Sequence, residues 1–159
     1  MADTCTLHIL HTNDVHSNFS NMPQIASCLR QNRQRWEAQG ERVLTVDIGD
    51  HVDRMSLKTE ATWGRANVGV LNRSGYQYVT IGNNEGITFP KEKLDALYEH
   101  ADFTVVAGNL IEPASGQTPQ WAVPYAVHHW PDLRVGILGV TIPFVPFYRM
   151  MGGDLREPL

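Results

Sequence analysis

The sequence predicts an α/β fold with a mostly parallel sheet and a C-terminal hairpin. Short apolar runs alternate with segments of helical period through most of the chain. Several of those runs end in an Asp-x-His, Gly-Asp or Gly-Asn turn, and beyond Trp121 two strand-like runs follow one another directly. Alternating strands and helices imply right-handed crossovers and parallel pairing, whereas consecutive strands joined by a short turn imply a hairpin.

The first strand is expected at residues 6–12, with Leu7, Ile9 and His11 on one face and His8, Leu10 and Thr12 on the other. His8 lacks a Cys or Asp partner at ligand spacing within the strand, so it reads as a packing or hydrogen-bonding residue. A helix is expected over residues 22–39, with Asn21 as its cap, Pro23 in its first turn and Gly40 at its end. Ile25, Cys28, Leu29 and Trp36 share its apolar face, which makes Cys28 a buried thiol. Residues 42–48 form the second strand, and a second helix is expected over residues 59–73, closed by Ser74-Gly75. The third strand covers residues 78–81, Pro90 opens a third helix through Leu94, Leu97 and Tyr98, and residues 103–107 make a fourth strand. The hairpin is expected from residues 121–130 and 134–141, joined by Pro131-Asp132. His128 and His129 alternate along it and point to opposite faces, which suits packing or surface roles and not one shared metal. The stretch from Pro143 to Tyr148 is too proline-rich for a central strand.

Composition narrows the function. The 159 residues suffice for one domain, and 42% hydrophobic with 19% charged residues is ordinary for a globular protein. A formal net charge of -4, with Lys58, Lys91 and Lys93 as the only lysines, argues against a nucleic-acid polymer as partner. Cys5 and Cys28 make neither a disulfide framework nor a Cys-x-x-Cys pair. With no secretory signal pattern and no run approaching the ~20 apolar residues of a membrane span, a cytoplasmic location is expected.

The chemistry gathers at strand ends. In open α/β sheets ligands bind beyond the carboxyl ends of the strands, and three such ends carry Asp14 with His16, then Asp50, then Asn83. Each alone is an ordinary turn residue, but two carboxylates, an imidazole and a carboxamide after three strands form a mixed oxygen and nitrogen donor set. Such a set suits Mn²⁺, Zn²⁺ or Fe better than Mg²⁺ or Ca²⁺.

His11-Thr12-Asn13-Asp14-Val15-His16-Ser17, Asp47-Ile48-Gly49-Asp50 and Gly82-Asn83-Asn84-Glu85 resemble, in order and spacing, the N-terminal half of the 5′-nucleotidase branch of the calcineurin-like metallophosphoesterases. Ala107-Gly108-Asn109-Leu110 and residues 136–141 are similar to later segments of that half. The resemblance implies the first half of a layered α/β/β/α sandwich, with residues 1–159 as an incomplete catalytic domain that lacks its second half and a C-terminal nucleotide-binding domain. It implies two divalent metal ions: Asp14 and His16 on one, Asp50 bridging both, Asn83 on the second. It also implies a phosphate-ester or nucleotide substrate, with Arg54 as a phosphate-holding candidate whose other expected role is an ion pair to Asp53 or Asp47.

Two departures from the family pattern bear on function. Asn84 stands where the family turn usually has a His that assists the leaving oxygen, and a carboxamide donates a hydrogen bond but releases no proton near neutral pH. His51 is a candidate substitute acid, its other reading being an exposed loop residue. No Gly-His pair occurs in the chain, so the histidines that complete the family's site are missing. The expectation is therefore a fragment or truncated product of a longer enzyme, with an apolar sheet face left open; the alternative is that the chain covers this face by self-association. Two rival readings are a non-catalytic metal-binding or interaction module and, more weakly, a doubly wound nucleotide-binding module without metal. The latter calls for a Gly-rich loop where Asn13-Asp14-Val15-His16 stands.

Overall fold

The computed structural model describes residues 4–142 and the strand Asp154–Leu155. Strands β1 (Leu7–Thr12), β2 (Arg42–Asp47), β3 (Tyr78–Val79) and β4 (Thr104–Val105) pair in parallel in that order. Their register sets Thr12 beside Asp47, Asp47 beside Val79, and Val79 beside Val105. The expected parallel sheet is thus present, and its carboxyl ends lie side by side.

Between the strands run α1 (Met22–Glu37), α2 (Leu57–Thr62), α3 (Arg65–Ser74), α4 (Asn83–Thr88) and α5 (Lys91–Leu97). Right-handed crossovers that always step the same way place their helices on one face of the sheet. There Met22 and Leu29 of α1, Val68 and Leu71 of α3, and Leu94 and Leu97 of α5 join Val79, Val105 and Phe103 in one buried core. Each such side chain stabilises the fold by about 1.5–3 kcal/mol on burial.

The opposite face is only partly covered. The hairpin of β6 (Tyr125–His129) and β7 (Arg134–Leu138) lies over part of it, leaving an open cleft of about 280 Å³ between Ile9, Val46, Ile48 and Tyr78 of the sheet side and Val135 and Ile137. Ile9 remains 58% exposed, Ile48 51% and Leu138 80%. A short antiparallel pair, β5 (Leu110–Ile111) with β8 (Asp154–Leu155), was not foreseen. The proline-rich stretch from Pro143 to Tyr148 lies outside the described residues.

Several local expectations need correction. The single helix over residues 59–73 is two helices, because Trp63 (φ 51°) and Gly64 (φ 77°) both adopt the left-handed conformation and break the ladder. A Cβ at Gly64 would meet Leu97 Cδ1 at 2.8 Å, so glycine lets the break pack against α5. Asn21 is the N-cap residue, as expected, but its side chain makes no capping hydrogen bond. Cys28 is exposed, since the buried stripe of α1 runs through Met22 and Leu29 and Cys28 stands one residue off it. His8 stacks on Trp36 at 3.9 Å and pairs with Glu41 at 2.6 Å, as a packing and hydrogen-bonding residue should. His128 bonds the Tyr78 hydroxyl at 2.9 Å while its neighbour His129 is exposed.

Candidate metal centre

Three loops build the site. The loop after β1 carries Asp14 and His16, the loop after β2 carries Asp50, and Asn83 opens α4 after β3. The first two are zipped together by backbone: Asp14 N–H donates to Gly49 O (3.0 Å), His16 N–H to Asp50 O (3.0 Å) and Ser17 N–H to His51 O (2.8 Å). Asp14, His16, Ser17 and Asp50 all take positive φ, between 48° and 54°. That conformation is uncommon for residues other than glycine and persists where surrounding bonds enforce it. Gly49 (φ 106°) and Gly82 bring the second and third loops into contact, since a Cβ at Gly82 would lie 2.2 Å from Asp50 Oδ1 and one at Gly49 2.7 Å from Gly82 N.

The expected ligands converge. One donor atom each from Asp14, His16 and Asp50 lies within 4.8 Å of the others. His16 Nε2 is 3.8 Å from Asp14 Oδ1. The Asn83 carboxamide lies 3.0 Å from Asp50 Oδ2, bonded when its nitrogen faces the carboxylate. With the amide reversed, two acceptor oxygens face each other there, which is the arrangement a shared cation needs. The donor set therefore fits a divalent ion held by oxygen and imidazole.

Buried carboxylates support these loops. Glu85, 2% exposed, accepts from Val52 N–H at 2.8 Å, Gly82 N–H at 2.9 Å and Asp50 N–H at 3.2 Å, joining two loops through one side chain. Burial raises its pKa, the N–H groups of Val52 and Gly82 counteract the rise only in part, and the nearby Asp50 charge adds to it. Asp47, at the end of β2, accepts from Thr12 Oγ1 (2.5 Å) and Gly49 N–H (3.1 Å), and burial pushes it up to about 7.

The remaining candidates fall out differently. Asn84 is in the site: its backbone N–H donates to Asp50 Oδ1 at 2.8 Å, and its Nδ2 reaches His16 Nδ1 at 3.1 Å and Val52 O at 2.9 Å. His51 is not an exposed loop residue; it is 2% exposed, and burial lowers its pKa to about 4, so the ring is neutral at pH 7. It belongs to a polar network beneath the loops, where Asn67 Nδ2 meets His51 Nδ1 (3.2 Å) and Ser17 Oγ (3.0 Å), and Thr59 Oγ1 meets Ser17 Oγ (2.8 Å). Arg54 pairs with neither Asp53 nor Asp47. Its Nε and Nη2 hold both Glu60 oxygens at 2.7 and 2.8 Å, and Nη1 donates to Thr88 O at 2.5 Å, so a phosphate contact would compete with these bonds.

The three-way clamp made by Glu85 was not foreseen. The available signal was an acidic residue three positions after a helix-opening Gly82. Nothing in the local sequence marks Asn67 or Thr59, whose contacts arise from tertiary packing.

The family profile of the calcineurin-like phosphoesterases matches residues 7–143. The uncharacterized metallophosphoesterase YunD of Bacillus subtilis is 46% identical over 96% of this chain and 33% of its own length. The 5′-nucleotidase of Vibrio cholerae is 27% identical over 98% of this chain and 29% of its own. Among solved structures, the NAD nucleotidase of Haemophilus influenzae superposes with a TM-score of 0.79 at 20% identity, over 95% of this chain and 29% of that one. A 5′-nucleotidase precursor from Thermus thermophilus gives 0.76 at 22% identity, over 96% and 32%. These last two share the fold, and the chain spans about a third of the length of the curated relatives it matches. With the profile spanning most of its length, the chain belongs to the calcineurin-like phosphoesterase family.

Proposed function

We propose that this chain carries part of the metal site of a phosphoesterase that hydrolyses phosphate esters of nucleotides or related compounds. Calcineurin-like phosphoesterases use divalent metals, and the convergence of Asp14, His16 and Asp50 is the observation that carries the proposal. Asp14 and His16 would hold one ion, Asp50 would be shared with a second, and Asn83 would hold that second ion. Bound ions of this kind supply Lewis acidity and a nucleophile at neutral pH. The chain's own residues hold and orient: Glu85 and the two glycines fix the loops, and Asn84 is a neutral hydrogen-bond donor. Arg54 reaches phosphate only by leaving Glu60, and His51, neutral at pH 7, holds no spare proton for a leaving group.

The share of the relatives' length covered here supports a chain that supplies the first part of a longer catalytic domain, with further ligands contributed from outside it. Exposed Ile9, Ile48 and Leu138 support self-association through the open sheet face. No helix among the described residues is long and apolar enough to cross a membrane. The Asn84 carboxamide favours a second reading, a metal-binding or interaction module without catalysis.

Titration calorimetry of Mn²⁺ and Zn²⁺ into metal-stripped protein, with Asp50→Asn in parallel, tests the proposal. Binding that is lost in the variant is expected. Equal binding by both proteins removes Asp50 from the site and overturns the assignment. Hydrolysis of a generic phosphate ester with Mn²⁺, abolished by the same substitution, excludes the non-catalytic reading.

A further inference from the structure

We infer that metal binding reverses the tautomer of His16, with Asn84 and Asp53 as its two opposed positioning residues. The inference rests on the metal centre proposed above.

The two edges of the His16 ring face different chemistry. Nε2 looks toward Asp14, with Oδ1 at 3.8 Å. Nδ1 has two neighbours of opposite character, the Asn84 Nδ2 at 3.1 Å and the Asp53 Oδ2 at 3.7 Å. The Asn84 amide is anchored, because Nδ2 also donates to Val52 O at 2.9 Å and a carbonyl oxygen can only accept. Turning the amide over would break that bond. One Nδ2 hydrogen therefore serves Val52, and the other is directed at His16.

A ring nitrogen that accepts carries no proton, so in this arrangement the neutral His16 holds its proton on Nε2. The lone pair needed for coordination is then absent from the edge that faces Asp14. For His16 to act as a ligand through Nε2, that proton must leave and Nδ1 must take one up. His16 is half-exposed, so solvent exchanges both protons and the net change is zero. Nδ1–H then meets Asn84 Nδ2 donor to donor, and the nearby acceptor is Asp53 Oδ2, which must close from 3.7 Å to take the bond.

Asp53 is held for that task. Its backbone N–H donates to Ser17 Oγ at 2.7 Å, and its Oδ1 accepts from Met55 N–H at 2.8 Å, which leaves Oδ2 turned to the ring. Metal-ligating histidines commonly donate their second ring N–H to a carboxylate, which fixes the tautomer and raises the basicity of the ligating nitrogen. Asn84 thus favours the metal-free ring and Asp53 the metal-bound one. The same carboxamide that cannot act as an acid becomes a restraint on metal uptake.

The test is a long-range ¹H–¹⁵N correlation spectrum of the full ¹⁵N-labelled chain, titrated with Zn²⁺, with His16 assigned by its loss in His16→Gln. The expected result is a proton on Nε2 in chelator and on Nδ1 in the Zn²⁺ form. Calorimetry of the same samples is expected to show Asp53→Asn binding Zn²⁺ about 10- to 100-fold more weakly. Asn84→Ala is expected to bind it about 2- to 10-fold more tightly, the equilibrium equivalent of one hydrogen bond. The tautomer reading needs only the unsubstituted chain, so a variant that fails to fold does not decide the matter. Zn²⁺ binding with an unchanged tautomer, or an Asp53→Asn affinity equal to the parent's, overturns the inference and leaves the metal centre standing. A chain that takes up no Zn²⁺ overturns both.

Discussion

Glu85 Oε2 accepts a hydrogen bond from the backbone N–H of Asp50 at 3.2 Å, which ties the turn after β3 to the residue assigned as the bridging ligand. Two further N–H groups, from Val52 and Gly82, point at the same carboxylate. Glu85→Gln would turn an amide N–H₂ toward N–H donors in a buried site. The expected cost is about 2–4 kcal/mol in urea unfolding, since buried donors lose their acceptor. Mn²⁺ affinity should fall with it. A variant as stable as the parent, with unaltered metal affinity, would show that the clamp is dispensable.

Asp47 makes stability depend on pH. Its folded pKa is about 7 against an ordinary 3.8, so the folded chain holds a proton there that the unfolded chain releases. Where the folded state binds more protons, stability falls as pH rises. The loss starts near pH 4 and is complete a little above pH 7. Asp47→Asn keeps an oxygen for Gly49 N–H and removes the charge. Its stability relative to the parent, measured in chelator, is expected to improve by on the order of 2 kcal/mol between pH 5 and pH 8. A difference that does not change with pH would count against a buried, protonated Asp47. His51 acts with the opposite sign: its pKa is lowered to about 4 from 6.5, so its contribution is lost as pH falls through that window.

Gly82 tests the close approach of the loops. A methyl group there would lie 2.2 Å from Asp50 Oδ1 and 2.5 Å from Asp50 N, backbone that cannot swing aside as a flexible side chain would. Gly82→Ala is expected to displace Asp50 from Asn83 and abolish Mn²⁺ binding in calorimetry, with a lower melting temperature. Retained binding would mean that the two loops have room to separate without losing the site.

The sheet and the convergence of Asp14, His16 and Asp50 were legible because both depend on local signals. Apolar runs mark β1 and β2, and the turns after β1, β2 and β3 carry Asp14 with His16, Asp50 and Asn83. What stayed hidden depends on contacts far apart in the chain. Trp63 takes a left-handed conformation that its residue type does not announce, because Gly64 beside it must clear Leu97 and Phe89. His51 is buried by Asn67 from α3, whose partnership no spacing reveals. Arg54 chooses Glu60, six residues ahead on α2, over the nearer Asp53, because the left-handed break at Trp63 sets an aromatic ring 5.3 Å beneath the guanidinium.

The open face carries the last prediction. Leu44 is 2% exposed beneath the hairpin, yet Ile9 beside it in register is 58% exposed; Leu138, which lines the same cleft as Ile9, is 80% exposed, and Val140 and Ile142 are 58% and 51% exposed. β1 is also the outer strand of the parallel sheet, with one side unpaired by the other strands of that sheet. Contiguous apolar surface beside a strand edge promotes association between chains. Light scattering should therefore show a mass that grows with concentration, and a hydrophobic dye should bind. Ile9→Lys and Leu138→Lys should each reduce both signals, since a charge placed at the centre of the patch must be desolvated when two faces meet. Metal affinity should be unaffected, because neither residue touches the Asp14, His16 and Asp50 group. A compact monomer that binds no dye at any concentration would mean that the hairpin shields the face well enough alone.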